Sequence, residues 1–180
     1  MSGNLTRFGV GAAMGRWDQA GVAAGLIGLF VVGVVAGALL ARRVGEARRS
    51  AVLALEAALL LFAAGLCAGG WTGPGMGAVV LAMGVENAVF QRRGDVGVGL
   101  TYMTGTLVRM GQRIATALCG GPRWEWLPFL LLWTGLAAGG ALGAVSFLRW
   151  GVAALWLAAL TVASLTVAVF LAERRAERGS

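Results

Sequence analysis

The sequence contains no histidine and only two cysteines, Cys67 and Cys119, and its charged side chains make up just 13% of the total. With no histidine ligand and no CxxC pair, neither a zinc site nor a haem site is expected. The two cysteines form no disulfide framework and read as small apolar residues within helices. The usual general base is also missing. No G-x-S-x-G elbow, P-loop or G-x-G-x-x-G turn appears to supply other chemistry. The chain is therefore not expected to be an enzyme or to carry a cofactor or metal. The first 19 residues lack the apolar core of a signal peptide. The shortage of charge excludes most: it is about half the share of an ordinary soluble domain, too little polarity to cover a surface facing water.

What is abundant is hydrocarbon. Of 180 residues, 58% are hydrophobic, and the mean hydropathy is +0.80. Four apolar runs, at about 20–41, 51–70, 126–148 and 150–171, have the roughly 20 residues a helix needs to cross about 30 Å of lipid. A shorter run, 75–91, ends at Arg92 and Arg93, and its neighbours make it a fifth membrane helix. Backbone groups in lipid must be paired within their own segment, so helices are expected throughout. The predicted fold is an all-α polytopic bundle of about five spans in one membrane domain, residues 1–180. The linkers are short except for the piece from Arg92 to Glu125. That piece contains VGVGLTYMTGTLVRMGQRIATAL and predicts a broken or interfacial helix packed on the bundle.

The net charge of +7 comes from arginine alone. These arginines form no basic module, so nucleic acid is not an expected partner. They sit at the ends of apolar runs, as topology signals do. Placing Arg42, Arg43, Arg48 and Arg49 in the cytoplasm puts Arg92, Arg93, Arg109, Arg113, Arg123, Arg174, Arg175 and Arg178 there too, by alternation. That accounts for twelve of the fifteen arginines and leaves Arg7, Arg16 and Arg149 outside. The tail, 172–180, is then cytoplasmic. Trp17, Trp71, Trp124, Trp126 and Trp150 fall near span ends, where an aromatic belt lies.

An internal repeat stands behind this layout. MSGNLTRFG at 1–9 matches MTGTLVRMG at 103–111 in five of nine positions, and the same offset of 102 carries GVVAG at Gly33 and Gly37 onto GLAAG at Gly135 and Gly139. Each unit reads as helix, MxGxLxRxG element, helix, helix, with 1–70 an incomplete first copy and 75–171 the second. Units of three spans are inverted relative to one another, and inverted repeats with interrupted helices recur in transporters. The first copy lacks its opening helix, so a further apolar helix is expected before Met1 in the native product.

MSGNLTR, AMGVENA and TYMTGTLVR, in that order, resemble the landmarks of the YoaK family, bacterial membrane proteins with a domain of unknown function. The likeness covers nearly the whole chain. It implies about six spans, a first helix ahead of MSGN and a bacterial inner-membrane location. Glu86 departs from the pattern, since a neutral amide is expected there, and no shared role carries over to this position. The resemblance brings no settled activity with it.

Several polar residues stand out against this background. Glu56 lies six residues into its span, about 9 Å down the helix. Ionisable residues within spans are costly and face a partner or a wet cavity. Glu56 therefore reads as an ion or proton site, or as a carboxylate kept near the headgroups or paired with arginine. Glu86 and Asn87 are neighbours pointing about 100° apart, so one of them faces any given cavity. Glu86 pairs with Arg109 or titrates near neutrality if desolvated, or it forms a structural ion pair near the cytoplasmic face with Arg92, six residues on. In the MxGxLxR elements, Gly3 and Gly105 permit unusual backbone angles or close approach. Ser2, Asn4, Thr104 and Thr106 offer polar groups to an unwound backbone or a ligand, and Arg7 and Arg109 offer charge to an anion. Alternatively, the small residues of these elements pack helices, as Gly33, Gly37, Gly135, Gly139 and Gly143 are expected to do. The leading functional expectation is movement of a small solute or ion through a polar pathway of Asn4, Arg7, Glu56, Glu86, Asn87, Thr104, Thr106 and Arg109. The alternative is a non-transporting interaction or scaffold protein. The lipid bilayer is the expected partner in either case, and a homo-oligomer is a candidate assembly.

Overall fold

The computed structural model describes residues 2–45, 48–89 and 103–178. The helices are α1 (Ser2–Ala13), α2 (Trp17–Val44), α3 (Arg48–Ala68), α4 (Thr72–Glu86), α5 (Met103–Leu118), α6 (Leu127–Trp150) and α7 (Ala154–Arg178). The chain divides into two compact units. The first comprises Met1–Val89 with Leu155–Ser180, and the second Phe90–Ala154. This is the all-α membrane architecture expected from hydropathy. Among the described residues, three helical stretches, Trp17–Val44, Arg48–Ala68 and Leu127–Arg175, are long and apolar enough to cross a bilayer.

The last of these runs for 49 residues. It breaks at Gly151, whose φ of +58° opens a short 3-10 turn. The apolar runs in the sequence place this break between about 148 and 150. The helix instead continues through Arg149 and Trp150 and stops at Gly151, which takes the positive φ.

Two further expectations are corrected. The piece from Arg92 to Glu125 was expected to hold a broken or interfacial helix, and the two MxGxLxR elements to be breaks; Met103–Leu118 is one uninterrupted helix, as is Ser2–Ala13. A glycine in a helix costs about 1 kcal/mol relative to alanine. A backbone group left unpaired in an apolar setting costs more, so Gly3 and Gly105 remain helical. Phe90 to Tyr102, including Arg92 and Arg93, lie outside the described residues, as do Glu46 and Ala47.

In the first unit, α4 lies against α2 and α3, which explains how a helix of 15 residues suits a membrane domain. Its contact with α2 is backbone to backbone. A Cβ on Gly84 would lie 2.9 Å from both Gly33 Cα and Val34 N, and one on Gly37 would lie 2.8 Å from Val85 O. The α3–α4 turn closes with Gly70 at φ +86°, where Gly70 N–H donates to Cys67 O and Trp71 N–H to Leu66 O. This Schellman cap uses glycine because the left-handed conformation penalises a Cβ. Beyond the turn, a Cβ on Gly75 would strike Cys67 Sγ, while Ala82 and Leu60 share one buried cluster and Val89 and Leu53 the next. These pairs fix an antiparallel α3–α4 register. The α2 contacts at Gly33 and Gly37 advance along α4 in the same direction, so α2 and α4 run parallel. Apolar side chains of α7, Val162 and Val169, pack on this core, and Ser50 Oγ donates to Glu173 Oε2 at 2.5 Å. That bond places the Glu173–Arg175 stretch at the same end of the unit as Arg42, Arg43, Arg48 and Arg49. Trp17 and Trp71, both exposed, sit by the turns at the opposite end.

In the second unit, α5 packs against α6. Arg113 Nη1 donates to Glu125 Oε2 at 2.5 Å across the connecting turn. The helix order short, long, long occurs twice, as α1–α2–α3 and α5–α6–α7. Both short helices end in the same cap: Arg16 N–H donates to Gly11 O, and Gly121 N–H to Thr116 O.

Candidate functional site

The tight turn after α1 folds that helix back along the first turns of α2. Gly11 lies at this crossing, where an added Cβ would stand 3.1 Å from Ala20 N. Residues of both helices line an open cavity of about 370 Å³. Asn4, Thr6 and Arg7 line it from α1. Asp18 and Gln19 line it from α2, above a floor that includes Val22, Ala23 and Leu26. Arg7 and Asp18 put opposite charges on facing walls, and neither forms an ion pair among the described residues. Asn4 and Arg7 were legible as polar members of the MSGNLTR element. Asp18 and Gln19 were not, because sequence reading treated them as the flank of an apolar run. The missed signal is the tight turn at Gly15, which sets residues on either side of it opposite one another.

The second polar feature lies between α3 and α4. Glu56 is eight residues beyond Arg48, the start of its helix, about 12 Å along the axis. It belongs to the face of α3 that carries Leu53, Leu60, Ala63 and Cys67, all turned toward α4. Glu86 ends α4. In sequence, Glu56 and Glu86 are equally far from the Cys67–Gly75 contact, so the antiparallel register sets them opposite each other. They are close enough to interact electrostatically. Glu56 is only 7% exposed, and its Oε2 has no hydrogen-bond partner among the described residues. Asn87 turns away, its amide donating to Met83 O at 2.8 Å. Of the arginines expected to neutralise Glu86, Arg92 lies outside the described residues and Arg109 belongs to the other unit. A charged side chain at the centre of a membrane helix costs about 2.5–3.5 kcal/mol on insertion scales. Two such side chains facing each other form a costly arrangement.

The remaining sequence candidates separate. On α5, Thr106 is buried, while Thr104 and Arg109 are exposed. Gly33 and Gly37 face the α4 backbone. The glycine face of α6 differs from expectation. A Cβ on Gly135, Gly139 or Gly143 would meet nothing within 4 Å, so within the second unit α5 does not pack on this face. Helix spacing alone marks such a face as small without saying whether a neighbour fills it. No group of three or more metal-ligating side chains occurs among the described residues.

The model of the family described as "Protein of unknown function (DUF1275)" matches residues 1–168. The UPF0700 transmembrane protein RA0705 of Rhizobium meliloti (strain 1021) is 34% identical over 175 residues, which cover 97% of this chain and 76% of that protein. No solved structure matches.

Proposed function

The chain belongs to the DUF1275 family, and on that premise we propose that it moves a small solute or ion across the bilayer. The observation that carries this reading is the cavity between α1 and α2. In a chain this poor in charge, Asn4, Thr6, Arg7, Asp18 and Gln19 are gathered around one open space at the end of an apolar helix. Pockets that bind small polar molecules combine apolar walls with a few convergent polar groups. The floor at Leu26 is seven residues, roughly 10 Å, along α2 from Gly33, which packs on α4 just before Glu86. The first unit therefore carries polar groups at two depths. In this reading the two helix triplets are inverted repeats, and rocking of one against the other alternates access to the polar groups. The protein sits in the bacterial inner membrane with its arginine-rich end and C-terminus in the cytoplasm, and it performs no covalent chemistry. The test is a flux assay on purified full chain in liposomes, across a panel of small ions, amino acids and organic acids. Solute-dependent flux that is lost in Arg7→Ala supports the reading. An absence of flux across the panel, with folded protein verified, overturns it.

The open glycine face of α6 favours a second reading, in which the protein associates through Gly135, Gly139 and Gly143 with a second copy of itself. Small-residue faces allow close helix contact in lipid. Native mass spectrometry distinguishes this assembly from a monomer.

A further inference from the structure

We infer that Glu56 and Glu86 form a binding site for one small monovalent cation, a proton or Na⁺, held between α3 and α4. This deepens the transport reading by naming an ion, and rests on it for the site's purpose. The site's existence rests on geometry. Two carboxyl groups face each other across an antiparallel helix pair whose register is set by Gly75 on Cys67 and Ala82 beside Leu60. One of them is buried with an oxygen unpartnered among the described residues.

Each neighbouring element was a candidate source of a compensating positive charge. From α2, Gly33, Gly37, Leu40 and Ala41 face this contact, while Arg42 and Arg43 stand exposed beyond it. On α3 the nearest cations are Arg48 and Arg49, about two turns from Glu56. From α7 come apolar residues and one further carboxyl, Glu173, which accepts from Ser50, while Arg174 lies over the Phe170 ring. No arginine forms an ion pair with either glutamate among the described residues. Buried carboxylates require a compensating cation. With no protein cation paired to them among the described residues, an exchangeable one takes its place. Ca²⁺ asks for about six to eight oxygen ligands, more than this pair supplies, and Mg²⁺ dehydrates reluctantly and keeps several waters, which apolar surroundings disfavour. A single proton shared between two oxygens, or a Na⁺ held by the four that two carboxylates present, fits the donor set.

The full chain in liposomes would be treated with dicyclohexylcarbodiimide, an apolar reagent that couples to protonated carboxyls in membrane surroundings, and the adduct located by peptide mass spectrometry. The expected result is an adduct on Glu56 or Glu86, absent from exposed Glu125. If the occupant is a proton, the adduct is lost as pH rises and is indifferent to Na⁺. If it is Na⁺, added NaCl protects the site at constant pH. No adduct on either glutamate at any pH, with or without Na⁺, overturns the site. The wild-type result does not depend on any variant folding, and Glu56→Gln and Glu86→Gln then show which carboxyl reacts. An adduct without solute flux would sink the transport reading and leave the site standing. Flux without an adduct would do the reverse.

Discussion

At the scale of single residues, Glu56 is the side chain whose presence stability alone does not explain. Its Oε2 is buried and unpartnered among the described residues, and its neighbours along α3 are apolar. Replacing a buried ion pair by apolar side chains of similar size is often neutral or stabilising, by about 1–4 kcal/mol, because the desolvation cost disappears, and the same gain applies to the buried Glu56 carboxyl. Glu56→Leu is therefore expected to unfold later than wild type in detergent while any ion-dependent activity is lost. A destabilised Glu56→Leu would instead mean that the carboxyl holds α3 and α4 together. Glu56 and Glu86 were each legible in the sequence, because an ionisable residue in an apolar run is a local anomaly. Their opposition was not legible. It depends on where α4 starts after the Gly70 cap and on the register that the Cys67–Gly75 contact imposes, neither of which hydropathy records.

At the scale of elements, the packing of α4 on α2 rests on missing side chains. A Cβ on Gly84 would lie 2.9 Å from backbone atoms of α2, which cannot rotate away as a flexible side chain would. Gly84→Val should cost about 1–3 kcal/mol or more, as overpacking does. Gly139→Ala, whose Cβ meets nothing within 4 Å, should be neutral or stabilise α6 by up to about 1 kcal/mol through helix propensity. Unfolding of the two variants in detergent compares the signs directly, and a loss at Gly139 would point to a partner helix on α6. The sequence showed both glycine faces by the same spacing and could not tell the packed one from the open one. The polar elements at Gly3 and Gly105 were misread for a related reason. Glycine and threonine lower helix propensity, but in apolar surroundings the cost of unpaired backbone groups outweighs that preference, and both segments remain helical. The long helices were legible because length and hydropathy alone decide them.

At the scale of the molecule, charge and packing converge on one axis. In the first unit, α2 and α4 run parallel with α3 antiparallel between them in sequence, so the turns at Gly15 and Gly70 share one end. The connection after Val44 and the end of α7 share the other, as the Ser50–Glu173 bond requires. The second end carries Arg42, Arg43, Arg48, Arg49, Arg174 and Arg175, whereas the first carries Arg16 with Trp17 and Trp71. An arginine excess at one end is the signal that orients helices during insertion, with the rich side retained in the cytoplasm. Single cysteines can read this out after Cys67 and Cys119 are replaced by alanine. A cysteine at Arg16 or Thr72 is expected to react with a membrane-impermeant maleimide in intact cells. One at Gly45 or Arg175 is expected to react only after the membrane is opened. The reverse pattern would invert the topology. Labelling of Arg16 and Gly45 from the same side would contradict the crossing of α2 itself, and with it the membrane placement from which the cavity and the carboxyl pair take their meaning.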